Sequence, residues 1–302
     1  MIAKLFSIYI NDLPFSTKAS CQMFADDTTV YVKHTDVSKI STLLQPEVDK
    51  LIEWAELNHM VIHPQKTKYM LVTNRQKRQN LCVDDTQMQV VIAGKNIDKV
   101  DSHKVLGVII DHNLSWTNHI DALCKKVSKY MFQLTRMKHF LDIHSRKLYF
   151  IAYIQSSIDY SSTIWDSASY NSLKPLVSLY KRGLKLILSK CSSLTIDDYK
   201  CLEFLPLKEK LLYNKAIFMY KILSGSAPIA LTELFYINKY RHRQHISIPR
   251  PRLDLYKSSL AYSGGYLYNS LPETLKNQPN LQKFKKAMYL YLRSQVKLAS
   301  IR

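Results

Sequence analysis

The stretch "CQMFADDTTVYV", Cys21 to Val32, sets two adjacent carboxylates, Asp26 and Asp27, between two apolar runs. Residues 21–25 and 28–32 are rich in β-formers, so the stretch predicts two strands and a tight turn, a hairpin with the acids at its tip. Two like charges so close repel and raise each other's pKa unless a cation lies between them or water surrounds them. Asp is an ordinary turn residue, so a solvated turn is one reading. A divalent-metal site for phosphoryl or nucleotidyl transfer is the other, because hard carboxylate oxygens suit Mg²⁺. The hairpin alone leaves both open.

The chain of 302 residues is 46% hydrophobic and holds only six Gly, which excludes a disordered or fibrous class and leaves room for two domains. Its net charge of +19 is unevenly placed. Residues 1–116 hold 13 Lys or Arg against 13 Asp or Glu, whereas residues 117–302 hold 30 against 11. A segregated excess points to a polyanion-binding surface, with an anionic membrane as the competing partner. No run approaches the roughly 20 apolar residues of a spanning helix, so no membrane partner is expected. Five Cys, an odd count without a CxxC pair, favour reduced thiols in a nuclear or cytoplasmic setting. The opening "MIAKLFSIYIND" has no small-residue cleavage site and makes a poor signal peptide.

Apolar residues recur at helical spacing over 37–58 (Ile40, Leu43, Leu44, Val48, Leu51, Ile52, Ala55), with Pro46 expected in an early turn or as a break. Residues 68–73 and 100–110 read as strands, and the polar stretch 74–89 as a loop. Beyond Trp116 the pattern turns helical. Ile120, Leu123, Val127, Tyr130, Leu134 and Met137 form an apolar stripe, with Lys125, Lys129 and Arg136 together on a basic face off it. Helices are expected near 143–158, 171–189, 206–223 and 281–295, each mixing an apolar stripe with Lys or Arg. Lys181, Arg182 and Lys185 are basic members of the second of these. Residues 238–259, "NKYRHRQHISIPRPRLDLYKSS", read as an extended basic segment. His242 and His245 are assigned to that segment and not to zinc, because no Cys pair accompanies them. Tyr153, Tyr160, Tyr262, Tyr266 and Tyr268 could stack on bases, although most are expected to pack. The expected class is α+β.

The order of motifs adds a family. "FADD" at 24–27, "LNHMVIHPQKTKYMLV" at 57–72 and "KVLGVIIDHNLSWTNHI" at 104–120 together resemble the reverse transcriptase of non-LTR (LINE-type, jockey-like) retrotransposons. "LFSIYINDLP" at 5–14 resembles the segment upstream of that family's catalytic hairpin, and residues 248–292 its C-terminal tail. The resemblance implies a partial palm over 1–116, an antiparallel sheet with a helix. It implies a helical thumb-like domain over 117–200 and a basic helical C-terminal region over 201–302. The implied activity is RNA-directed DNA polymerisation on an RNA template and DNA primer, with dNTPs as substrates and Mg²⁺ (or Mn²⁺) as cofactor.

Carried over position by position, Asp26 and Asp27 match the metal-binding and catalytic acids, and Phe24 and Ala25 approach the primer end. Lys66 matches the basic residue near the triphosphate. Gly107 lies in the hairpin that grips the primer, where Trp116 is expected to be a core anchor. Lys125, Lys129, Arg136, Lys181, Arg182 and Lys185 become the nucleic-acid contacts. The family also needs a further Asp on an upstream strand and a fingers subdomain, and the chain begins after both. Asp12 falls in the "IYINDLP" match and is not that ligand. A chain inert on its own is therefore expected, and a non-catalytic module binding RNA or RNA–DNA duplex is the alternative.

Overall fold

The turn expected between the two acids-bearing strands forms in a computed structural model that describes residues 2–73, 89–240, 243–251 and 254–296. β1 (Ser20–Phe24) pairs antiparallel with β2 (Asp27–Tyr31), with Phe24 opposite Asp27, so only Ala25 and Asp26 make the turn. Alternation along the strands sends Met23 and Val30 to one face. There they pack on Ile10 and Leu13, which follow α1 (Ile2–Tyr9), and on Leu51, Trp54 and Ala55 of α2 (Ser38–Leu57).

α2 runs unbroken through Pro46, against the expectation of an early turn or a split. Pro inside a helix costs about 3 kcal/mol through the lost hydrogen bond and ring clash. Both neighbours of Pro46 are anchored. The Gln45 amide brackets Val91, accepting from its N–H at 2.8 Å and donating to its carbonyl at 2.9 Å. Glu47 accepts from the Thr17 hydroxyl at 2.7 Å and the Lys18 N–H at 2.5 Å. With Lys50 and Thr17 hydrogen-bonded to it, the Glu47 carboxyl is held down at about 2.

The remaining strands are short. β3 (Lys68–Tyr69) pairs in parallel with β6 (Asp98–Lys99), and β4 (Val91–Ile92) pairs antiparallel with β5 (Lys95–Asn96). Val90, Ile92 and Ile97 form a small core against Leu44, Val48 and Ile52 of α2. The strand expected over 68–73 is thus two residues long. That over 100–110 is two strands, β7 (Ser102–Val105) and β8 (Val108–Asp111). Leu106 and Gly107 both take positive φ, 48° and 88°, which is the two-residue turn whose twist suits a hairpin. The apolar run hid that turn. Residues 74–88, expected as a loop, lie outside the described residues.

The chain forms two units, Met1–Val105 with Ile110–Leu114, and Leu106–Ile109 with Ser115–Arg302. The second is mainly helical. α3 (Thr117–Met137) is followed by a rod of α4 (Ile143–Tyr149), a π turn (Phe150–Gln155) and α5 (Ser156–Asp159). Then come α6 (Ser162–Trp165), α7 (Tyr170–Leu188), α8 (Ile196–Leu202), α9 (Leu207–Leu223) and α10 (Ile229–Thr232). A hairpin of β9 (Tyr236–Tyr240) and β10 (Arg243–Ser247) precedes α11 (Asp254–Lys257), α12 (Leu260–Ser270), α13 (Glu273–Lys276) and α14 (Leu281–Gln295). Side-chain oxygens cap the starts of α4, α7, α8, α12 and α14, each satisfying a backbone N–H that the first turn leaves open.

Phe150, Trp165, Tyr180, Ile120 and Leu184 are wholly or almost wholly buried in this unit. A Cβ on Gly183 of α7 would lie 2.4 Å from the Phe150 ring and 3.2 Å from Met131 Sδ, so glycine is what lets the helices close. A second core gathers Met219, Ile222, Phe235, Ile246, Tyr268, Phe284 and Met288. Asn269 brackets Ile246, accepting its N–H and donating to its carbonyl, and so ties β10 to α12. The segment expected to be simply extended is in this part a pinned hairpin. Lys215 of α9 is nearly buried against Asp166, Nζ to Oδ2 2.7 Å, and donates to Ser263 of α12 at 3.1 Å. Asn214 and Lys210 reach Asp159 at 2.8 and 3.1 Å. The bonds to Asp159 and Asp166 join residues before position 200 to residues after it. The class is α+β, helices with small two-stranded sheets. Among the described residues no helix is long and apolar enough to cross a membrane.

Candidate nucleic-acid interface

The hairpin tip is held by backbone geometry. Ala25 has φ 53°, a left-handed conformation that costs an L-residue roughly 1–2 kcal/mol and that glycine would adopt freely. Asp26 sits in the turn and Asp27 opens β2, both exposed. Phe24, directly across from Asp27, is 64% exposed. Among the described residues neither acid is joined to another side chain by a hydrogen bond or ion pair, and no group of three or more His, Cys, Asp or Glu comes together as a metal site. Carboxylate oxygens are the donors Mg²⁺ takes, yet two of them do not complete its shell of six.

Lys66 projects from a tight turn over 63–67. The His63 carbonyl accepts the Lys66 N–H at 3.1 Å, the Thr67 N–H at 3.1 Å and the Thr67 hydroxyl at 3.0 Å. Thr67 therefore builds the turn, and the Lys66 side chain is left exposed to solvent.

The "LGVIIDHNLSWTNHI" stretch is knitted to itself. Gly107 turns the hairpin and faces Tyr160, whose hydroxyl donates to the Leu106 carbonyl at 2.6 Å. Asp111 Oδ1 accepts the Asn113 N–H at 3.1 Å. Trp116 is buried and opens α3 from a left-handed φ of 63°. His119, also buried, accepts the Ile109 N–H on Nδ1 at 3.3 Å and packs beside Trp165. Burial pushes His119 below its ordinary 6.5, so the ring stays neutral as that acceptor role requires. At Gly107 the close neighbour is a tyrosine of the chain itself.

α3 displays the basic face. Lys125, Lys129 and Arg136 are exposed, and Phe132, 62% exposed, lies among them with the Arg136 guanidinium 5.6 Å from its ring centre. Positions 125, 129, 132 and 136 fall on one side of a helix, so the stripe is continuous along α3. The buried face is His119, Ile120, Leu123, Val127, Met131 and Leu134. Met131 thus takes the place expected of Tyr130, whose ring turns aside to Tyr153, and Met137 is exposed. On α7, Arg182 is exposed while Lys181 and Lys185 are half-buried beside the anchors Tyr180, Gly183 and Leu184. Of the two histidines, His245 is exposed, and His242 lies outside the described residues.

Sequence reasoning missed Lys126 and Phe132, and it named Tyr153 as a possible stacking residue without the Tyr130 and Tyr149 rings beside it. The four-residue spacing of Tyr149 and Tyr153 was the available signal. No family model, no curated protein and no solved structure matches the chain.

Proposed function

We propose that this chain is the C-terminal part of a LINE-type reverse transcriptase, a partial palm followed by thumb-like helices. In this proposal the helical unit grips an RNA template–DNA primer duplex through its phosphates. The basic face of α3 carries the proposal, since it lies in the part of the chain that holds the entire +19 excess. Lys125, Lys129 and Arg136 present three separated cations, which suits contact with successive phosphates. Lys181, Arg182 and Lys185 extend the same role to α7.

For the polymerase chemistry, Asp26 and Asp27 are this chain's share of a two-metal Mg²⁺ (or Mn²⁺) centre, Lys66 its share of dNTP binding, and Phe24 and Ala25 its approach to the primer end. Two carboxylates at an open tip do not hold the metals alone, so the chain binds duplex without extending it. A module that only binds RNA or duplex would use the same basic face, and extension assays separate the two. The cysteines described are free, in keeping with a nuclear or cytoplasmic setting.

Fluorescence anisotropy of the full chain on an RNA–DNA duplex tests the grip. Affinity is expected to fall roughly 10³-fold between about 50 and 200 mM salt if some six phosphates are contacted. Lys125→Gln/Lys129→Gln/Arg136→Gln together are expected to weaken binding at least about tenfold and to flatten that salt slope. Salt-independent binding, or preference for anionic vesicles, would overturn the proposal.

A further inference from the structure

The basic stripe of α3 does not account for the tyrosines beside it. Tyr149 and Tyr153 stand on successive turns of the rod with ring centres 4.7 Å apart and planes inclined by 35°. Tyr130 of α3 meets Tyr153 at 5.4 Å. The Tyr149 hydroxyl donates to Gln133 Oε1 at 2.8 Å, which fixes that ring. Tyr153 is 48% exposed, and the Lys126 ammonium lies 6.0 Å from the centre of the Tyr130 ring.

A π turn lies where these rings surface together. Phe150, Ile154 and Ile158 are fully buried at four-residue spacing. In a regular α-helix each such step drifts about 40° around the axis. The wider turn over Phe150–Gln155 lowers the rotation per residue and so brings the three anchors closer to one line. Tyr149 and Tyr153 each precede a buried anchor, and their four-residue spacing sets them side by side. Single widened turns of this kind are frequent at functional sites.

We propose that Tyr153, backed by Tyr149 and Tyr130, is a stacking platform for unpaired nucleobases, with Lys126 and Lys129 holding the phosphates of the same strand. It rests on the nucleic-acid reading of the basic unit and adds a second class of ligand, single-stranded RNA or DNA. Every base has a π-face, so such a platform tolerates any sequence, and the adjacent cations supply charge complementarity. A continuous duplex offers no free base faces within its length and has only its phosphates to give, so the platform discriminates strand state.

The test is anisotropy of the full chain with a short labelled oligothymidylate, an abasic strand of equal length and an RNA–DNA duplex. Tyr153→Ala is expected to weaken oligothymidylate binding about fivefold or more, with Tyr153→Phe close to the parent and duplex affinity unchanged. Lys126→Ala is expected to weaken binding of the thymidylate and abasic strands alike. An unchanged melting temperature for Tyr153→Ala, whose ring is half in solvent, separates lost stacking from lost fold. Equal affinity for the abasic and thymidylate strands, or parent-like binding by Tyr153→Ala, would overturn the platform while salt-sensitive duplex binding stood. Failure of the parent chain to bind any of the three would overturn both proposals.

Discussion

The two units differ in what holds them. In the first, strands of two to five residues rest on cores of five and three buried side chains, and Leu5, Ile8, Phe15 and Phe24 stay exposed. In the second, capped helices enclose Phe150, Trp165, Tyr180 and Phe284 completely or nearly so. The acids that suggest chemistry lie on the lightly built unit, and the cations that suggest binding lie on the heavily built one. A phosphate grip needs a rigid helix face, which the second unit has by itself. A two-metal site needs ligands from several elements, and the first unit brings two acids to one turn.

The largest effects are expected in the second core. Phe150→Ala should cost about 3–5 kcal/mol in denaturant unfolding, because a fully buried ring leaves a cavity. Gly183→Ala should cost about 1–3 kcal/mol, since its methyl would meet the Phe150 ring at 2.4 Å. A neutral Gly183→Ala would mean that α7 does not approach the rod this closely.

At the junction hairpin, Gly107→Val forces a β-branched residue to φ 88° and against Tyr160 at 3.2 Å, with a cost of about 1–3 kcal/mol. Lys104→Ala, on an exposed position of β7, should stay within about 0.5 kcal/mol. Equal thermal shifts for the two would contradict the described turn.

A smaller effect follows from His119. Unfolded, it binds a proton near 6.5, whereas folded its pKa lies lower, so the unfolded state takes up more protons between the two values. Its contribution is complete above 6.5 and is lost as pH falls through that value toward the folded one. Melting temperature should therefore drop from about pH 7 to about pH 5. His119→Gln, whose amide oxygen can accept the same Ile109 N–H, should flatten part of that drop.

Much of this was legible along the chain and some was not. Helical spacing marked α2, α3, α7 and α14 well, because each buries one stripe of its own residues, and it marked α9 too, although that helix is covered on nearly every side. The Cys21–Val32 hairpin was legible from β-formers around a polar turn. The break at Leu106–Gly107 was hidden because both flanks are apolar. The π turn was hidden because it answers to a core built by other helices. Long-range ties left no local trace, among them Lys215 with Asp166 and the Asn269 clamp on Ile246. At the candidate sites, the exposure of Asp26, Asp27 and Lys66 followed from turn chemistry. The meeting of Tyr130 with Tyr153 depended on two helices packing.

Primer extension puts the contrast between the units to its sharpest test. The full chain is incubated with an RNA template, a labelled DNA primer, dNTPs and Mg²⁺, at low salt where the duplex is bound. Asp26→Asn and Asp27→Asn serve as controls, each expected to fold within about 0.5 kcal/mol of the parent because both acids are exposed. Bound duplex with no extended product is the expected result, since positioning supplies most of phosphoryl-transfer catalysis and a partial site forfeits it. Robust extension by the chain alone, abolished by Asp26→Asn, would contradict it.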